Sequence, residues 1–362
     1  MNNQNLQYNF DISELTGRSQ VVLNSKAICH TLSGKTVLVT GGGGSIGSAI
    51  CSEVIKYNPK KLVILDIYEN GAYELYCNLT KIFPNQHIDI VIANICDFEI
   101  IKNIFEKYRP EVVFHAAAHK HVPLMEKNCA EAVKNNVFGT CNVMQCSTEH
   151  NCEKFVLISS DKAVNPTSVM GATKRICEML ISSCKRSGFS TVRLGNVLAS
   201  NGSVVPLFQK QIAEGGPVTI THPEITRFFM TIPEAASLVL QAASYAKGGE
   251  IFVLDMGSPV KIYDLAKKMI LLSGLKPDVD IKIEFIGLRP GEKLYEELLL
   301  SEEGLTKTAH SKIFVGKPID ISFEELEKKL GLLKNALDKD NETIKRIISD
   351  IVPTYTIDSN TQ

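Results

Sequence analysis

Three side chains suited to proton exchange stand together at Ser160-Asp161-Lys162, and eight residues beyond Lys162 comes the run Met170-x-x-x-Lys174. Residues four apart on a helix share one face, so Met170 and Lys174 would look the same way. A hydroxyl, a carboxylate and two amines converging on one point fit general acid–base chemistry. Met170 brings no exchangeable proton, because a thioether is only a weak acceptor.

A second polar cluster is His119-Lys120-His121. No carboxylate or thiolate partners with ligand spacing accompany the two histidines, so no metal site is expected. Contact with an anionic or sugar ligand fits better, with Lys120 and His121 the candidates.

The glycine run Thr40-Gly41-Gly42-Gly43-Gly44-Ser45-Ile46-Gly47 follows a short apolar segment, and helical spacing begins at about Ile46. Such a strand–turn–helix junction lets the backbone approach a pyrophosphate, whose charge meets the free N–H groups of the helix start. Gly41, Gly44, Ser45, Ile46 and Gly47 are therefore candidate cofactor contacts. About twenty residues later the next strand ends at Asp66, where a carboxylate would take a ribose hydroxyl. No Arg or Lys follows in Ile67-Tyr68-Glu69-Asn70, which favours NAD over NADP. Asn94 and Ile95 end the third strand, where an adenine would lie, although Asn94 also suits a simple turn cap. Ala116 and Ala117 end the fourth with side chains small enough for a dinucleotide to pass.

Those groups need a frame, and the chain supplies one by alternation. Short β-branched runs at 35–40, 61–65, 88–93, 112–116, 155–159 and 191–195 are separated by stretches with helical spacing. Such a rhythm predicts a doubly wound α/β Rossmann fold, a parallel sheet covered on both faces. Reacting groups then gather at the carboxyl ends of the strands. The expected organisation is an arm over 1–33, a nucleotide-binding core over 34–199 and a smaller substrate-binding lobe over 200–321. The last sheet strand, 251–254, falls in an interleaved stretch of about 226–256, and a charged tail, 322–362, reads as an amphipathic surface helix.

Composition narrows the function classes. The chain of 362 residues carries a formal charge of -1, so no global positive field exists to hold nucleic acid. Ten cysteines without a CxxC pair read as reduced thiols rather than disulfides. No segment approaches the roughly 20 apolar residues of a membrane span, and the N-terminus has no leader pattern. A cytoplasmic enzyme acting on a small molecule, assembled as a homo-oligomer, is the expectation.

Several long motifs carry a resemblance: AAAHKHVPLME (116–126), NNVFGT (135–140), SSDKAVNPTSVMGATKR (159–175), GGPVTITHPEITRFFMTIPEA (215–235), GGEIFVLDMG (248–257) and GLRPGEKLYEELL (287–299). Over roughly 34–315 the chain resembles the polysaccharide-biosynthesis branch of the extended short-chain dehydrogenases, which includes the UDP-N-acetylglucosamine 4,6-dehydratases. Met170 stands where short-chain dehydrogenases usually carry a tyrosine. It resembles the large membrane-anchored members in this, a subtype whose product keeps its configuration at carbon 5. Ser160 replaces a usual Thr, and Asn94 a common Asp.

The resemblance implies NAD as cofactor and a UDP-hexosamine as substrate. Lys174 would bind the nicotinamide ribose, and Ser160 would hold the carbon 4 oxygen. Lys162 would act as base at carbon 5, given a pKa lowered by Lys174 and apolar walls, and Asp161 as acid to the leaving hydroxyl. Asn196, Arg227, Arg289 and Glu292 match the nucleotide-binding positions, though each arginine also suits a structural ion pair. A 4-epimerase and a non-catalytic sensor of NAD or nucleotide sugar are the competing readings. Missing tyrosine chemistry argues against the first, and the intact Ser-Asp-Lys and Lys174 spacing against the second.

Overall fold

The computed structural model describes residues 21–200, 202–298, 304–316 and 319–357. Most of the N-terminal arm, residues 1–20, lies outside them. Six strands follow the predicted alternation: β1 (Thr36–Thr40), β2 (Lys61–Asp66), β3 (Ile88–Ile92), β4 (Val112–His115), β5 (Lys154–Ser160) and β6 (Phe189–Leu194). Short strands β7 (Asn196–Val197), β8 (Val218–Ile220), β9 (Thr226–Arg227) and β10 (Phe229–Met230) precede β11 (Glu250–Leu254). Beyond it come β12 (Val260–Lys261), β13 (Ile283–Phe285), β14 (Leu305–Lys307) and β15 (Ile313–Gly316).

The main sheet runs β14-β15-β11-β6-β5-β4-β1-β2-β3. From β11 to β3 every neighbour is parallel, the doubly wound arrangement the alternation predicts. Every residue of β1 is buried, as a strand covered on both faces requires. The chain reverses its winding at β1, between β2 and β4, and a crevice opens there at the strands' carboxyl ends. Strand β11 does not close the sheet. Antiparallel β15 and β14 extend it, which the sequence reading, with 251–254 as the last strand, does not anticipate.

Helix Val169–Cys184 carries both Met170 and Lys174, and all but its last residue are buried. Ser168 starts it by accepting the Gly171 N–H at 3.1 Å, a side-chain cap that satisfies a donor of the buried first turn. Apolar residues of this helix pack on Phe155 and Leu157 on one side and on Leu326, Leu330, Ile344 and Ile348 of the tail on the other. The tail is two helices, Phe323–Lys334 and Asn341–Ile351, where a single amphipathic helix is expected. Asp340 caps the second through the Thr343 N–H, so the break falls at a residue that favours helix starts.

A smaller cluster, drawn from residues on either side of β11, packs Phe208, Ile212, Val218, Ile220, Ile270 and Ile281 together, while Met230 and the stretch 235–256 belong to the core of the main sheet. The smaller cluster faces the crevice across β7 and β10, which pair in parallel.

Candidate active site

The glycine loop is held by backbone contacts that leave no room for side chains. Gly41 has φ +69, and a Cβ there would lie 2.5 Å from the Ala117 amide nitrogen. At Gly47 a Cβ would stand 2.0 Å from the Gly41 carbonyl oxygen, so the helix Ser45–Val54 packs against the turn only as glycine. Its first turn has no side-chain cap and opens on a cleft of about 630 Å³.

That cleft is continuous from the loop to the end of β5. Of the cofactor candidates, Gly41, Gly44, Ser45, Ile46, Gly47, Ala116 and Lys174 line it, joined by Gly43, Tyr68 and Ala118. Asp66, Asn94, Ile95 and Ala117 are not among its lining residues. Asp66 stands directly behind the loop, accepting the Gly43 N–H and the Tyr68 N–H, each at 2.8 Å. Asn94 accepts the Cys96 N–H at 2.9 Å and so serves as a turn cap. Ile95 is buried and closes against Gly139. A glycine turn that tolerates no Cβ, an uncapped helix start and a strand-end carboxylate fit a dinucleotide pyrophosphate and ribose.

At the other end, Ser160, Lys162, Met170 and Lys174 line the same cleft. Ser160 Oγ donates to Asp161 Oδ1 at 2.8 Å. Lys162 Nζ donates to the same oxygen at 3.0 Å and to Asn196 Oδ1 at 3.0 Å. Asp161 is fully buried, its Oδ2 has no hydrogen-bond partner among the described residues, and it faces Gly195. Burial pushes its carboxyl up, the Glu296 charge adds to this, and the Lys162 ammonium offsets only part.

Lys162 departs from expectation. Its walls are not apolar: besides Asp161, Glu296 Oε1 lies 3.1 Å from Nζ. Burial would lower this lysine, but the Asp161 and Glu296 carboxylates outweigh it and hold the ammonium above the usual lysine range. The lowered amine is Lys174, which burial depresses and whose Nζ donates to the Ile158 carbonyl at 2.9 Å. Met170 is 3% exposed, so the tyrosine position is filled by a buried thioether.

All six substrate candidates, Lys120, His121, Asn196, Arg227, Arg289 and Glu292, line the cleft. They are not equally free to bind. Arg227 is buried, with Nη2 3.1 Å from Glu292 and Nε 3.5 Å from Glu296, the ion-pair alternative. Burial and the neighbouring Lys120 lower His121, leaving a neutral imidazole beside a cation. His119 turns towards Glu131, at 3.4 Å.

Two groups escape the sequence reading. Glu296, in the motif GLRPGEKLYEELL, reaches both Lys162 and Arg227, and its own sequence neighbourhood carries no signal that separates it from the motif's other glutamates. Glu178 is wholly buried below Ser159, which donates to it at 2.7 Å, while Arg193 binds both its oxygens at 3.1 and 2.7 Å. Burial would raise Glu178, but the Arg193 and Arg175 cations hold it low. Among the described residues, no group of three His, Cys, Asp or Glu is placed to hold a metal ion, and no helix is long and apolar enough to cross a membrane.

A family model described as polysaccharide biosynthesis protein matches residues 37–318, and the chain belongs to that family. It is 54% identical over 312 residues to the capsular polysaccharide biosynthesis protein CapD of Staphylococcus aureus, which covers 85% of this chain and 52% of that protein. This chain thus spans about half the length of that relative. It is 35% identical over 318 residues to a UDP-glucose 4-epimerase of Rickettsia bellii, covering 83% and 90% of the two chains. Over 337 residues it is 33% identical to the UDP-N-acetylglucosamine 4,6-dehydratase (inverting) of Campylobacter jejuni, covering 91% and 94%. Among solved structures, Pen from Bacillus thuringiensis superposes with a TM-score of 0.72 at 34% identity, covering 84% of this chain and 98% of that one.

Proposed function

We propose that this chain is an NAD-dependent nucleotide-sugar 4,6-dehydratase of the methionine type. It converts UDP-N-acetylglucosamine to a UDP-4-keto-6-deoxy-N-acetylhexosamine for bacterial glycan synthesis. The observation that carries this reading is the hydrogen-bonded chain Ser160–Asp161–Lys162 beside buried Met170, at the far end of the cleft that begins at the glycine loop. Bound NAD would supply a temporary hydride acceptor for carbon 4 and return the hydride to carbon 6. Gly41, Gly44, Ser45, Ile46 and Gly47 would hold its pyrophosphate, Asp66 its adenine-side ribose and Lys174 its nicotinamide ribose.

The chain's own groups then have two protons to take and two to give. Ser160 donates to Asp161, so the carbon 4 hydroxyl proton has a path through Ser160 to the buried carboxylate. Burial favours the protonated form of Asp161, which suits it to pass that proton on to the departing carbon 6 hydroxyl as water. Lys162, as free amine, takes the carbon 5 proton and later restores one to the same face. Return to the face of departure retains configuration at carbon 5. In this scheme each group cycles one proton, and Met170 needs to exchange none. Lys120, His121, Asn196, Arg289 and Glu292 line the part of the cleft that would hold sugar and diphosphate, with Arg227 recruited only if its carboxylate pairs open.

Purified protein incubated with NAD and UDP-N-acetylglucosamine should give a product lighter by one water, with the expected carbon 5 configuration by NMR. A product of unchanged mass would instead mark a 4-epimerase. Tight binding of both ligands without turnover would mark a sensor.

A further inference from the structure

Beside Lys162 a second, smaller cavity of about 140 Å³ adjoins the main cleft, and Lys162, Asn196, Arg227, Arg289 and Glu292 line both. Glu296, Ser168 and Lys293 belong to the small chamber alone. The Glu296 side chain is 2% exposed, and its Oε2 has no hydrogen-bond partner among the described residues. A carboxylate oxygen so buried normally finds a partner or an ordered water. The chamber is polar and has room for a few waters.

Lys162 therefore stands between two carboxylates with different surroundings. Asp161 is fully buried, lines neither cavity and takes the Ser160 hydroxyl, whereas Glu296 lines the smaller chamber and also meets Arg227. Burial raises both carboxyls, but at Glu296 the Lys162 and Arg227 cations outweigh it and keep the group ionised, whereas Asp161 ends up raised. Environments that push two carboxyls apart in this way divide the roles of acid and base. The dehydratase reading needs Lys162 as a free amine, yet its ammonium is strongly held. A proton must leave it towards a base that is not the acid.

We propose that Glu296 is this base: a relay residue, acting through Lys162, that exchanges the lysine's proton with water in the smaller chamber. An N–H bond of the Lys162 ammonium breaks as an O–H bond forms on Glu296, and the carboxyl then passes that proton to chamber water. The amine so freed takes the carbon 5 proton, its C–H electron pair moves towards carbon 6, and hydroxide leaves with the proton from Asp161. This inference rests on the proposed dehydratase function.

The test uses the full chain with bound NAD, in wild-type, E296Q and E296D forms. In D2O the wild type should put deuterium at carbon 5 in essentially every product molecule, because Lys162 equilibrates through Glu296 between steps. E296Q should lose kcat on the order of 100-fold with KM little changed. Its residual product should keep protium at carbon 5 in up to about one third of molecules, since a rotating ammonium offers three equivalent hydrogens. E296D should recover part of the rate.

Independently of turnover, NMR titration of 13C-labelled Lys162 should move to lower pH in E296Q. Wild-type kcat and full deuteration in E296Q, or an unmoved lysine titration, would overturn the relay. If the wild type makes no 4-keto-6-deoxy sugar, the dehydratase reading falls by itself. The titration alone then decides whether Glu296 governs Lys162.

Discussion

Lys345, on the last helix, lies 3.2 Å from Glu126, and the other oxygen of Glu126 accepts the backbone N–H of Val169 at 2.6 Å. The two side chains are only 5% and 8% exposed. Through this pair the C-terminal tail is tied to the start of the helix that carries Met170 and Lys174. The Thr356 N–H adds a second tie, donating to the Pro166 carbonyl at 3.0 Å in the loop before that helix.

Removing one partner of a buried pair leaves the other charge uncompensated, at a cost of about 3 kcal/mol. Lys345→Met should therefore lower the unfolding free energy by that order in a denaturant titration. Glu126 loses its counter-charge while Val169 keeps its cap, so NAD affinity should change less than stability does. An unchanged midpoint would show that the tail merely rests on the core.

Met170→Leu separates the proposed chemistry from a tyrosine-type one. If the thioether serves only to fill space, kcat should stay within about tenfold of wild type, or roughly 1.4 kcal/mol in the barrier. A loss of a thousandfold in steady-state turnover would mean that the sulfur takes part.

Asp161 is a buried carboxyl held at a cost to the fold. Its folded-state pKa is raised by burial, whereas an unfolded aspartate ionises near 3.9. Between those two values the native state binds more protons than the unfolded one, so stability falls as pH rises. Asp161→Asn should unfold at a higher temperature than wild type at neutral pH, and the gap should close as pH drops towards 4. Turnover should be lost at every pH. A melting temperature below that of wild type at neutral pH would contradict this account of the buried charge.

His115 gives the opposite pH slope. Its ring is fully buried between Thr40 and Thr140, at 2.7 and 2.9 Å, and burial pushes its pKa down to about 3, with Lys174 adding to the shift. The unfolded chain takes up this proton near 6.5 while the native state does not. Stability should therefore decline as pH falls from about 6.5 towards 3, by on the order of 5 kcal/mol in all. His115→Asn should flatten that part of the acid-unfolding curve. A curve of unchanged slope would remove His115 as its source.

The readable parts of this molecule are those in which chemistry and spacing are local. The glycine turn, Asp66 at a strand end, and Ser160-Asp161-Lys162 at the end of β5 each declare themselves within a few residues. Strand β15 and its exposed partner β14 are three or four residues long, too short for periodicity to show. Glu296 is far from Lys162 in sequence, and nothing local marks it from the other glutamates of its motif. The raised Lys162 ammonium is not legible in the sequence for the same reason, since one of its two carboxylate neighbours is brought in by the fold. Arg227 illustrates the limit of residue type: a guanidinium suited to diphosphate is also suited to Glu292 and Glu296, and only packing decides which it holds.

In the proposed dehydratase, reducing equivalents leave carbon 4 and return to carbon 6 of one sugar. UDP-N-acetylglucosamine carrying deuterium at carbon 4, converted by the purified protein with NAD, tests it most directly. The expected outcome is a 4-keto product with the label in its carbon 6 methyl group. Label still on carbon 4 in a sugar of unchanged mass would contradict it.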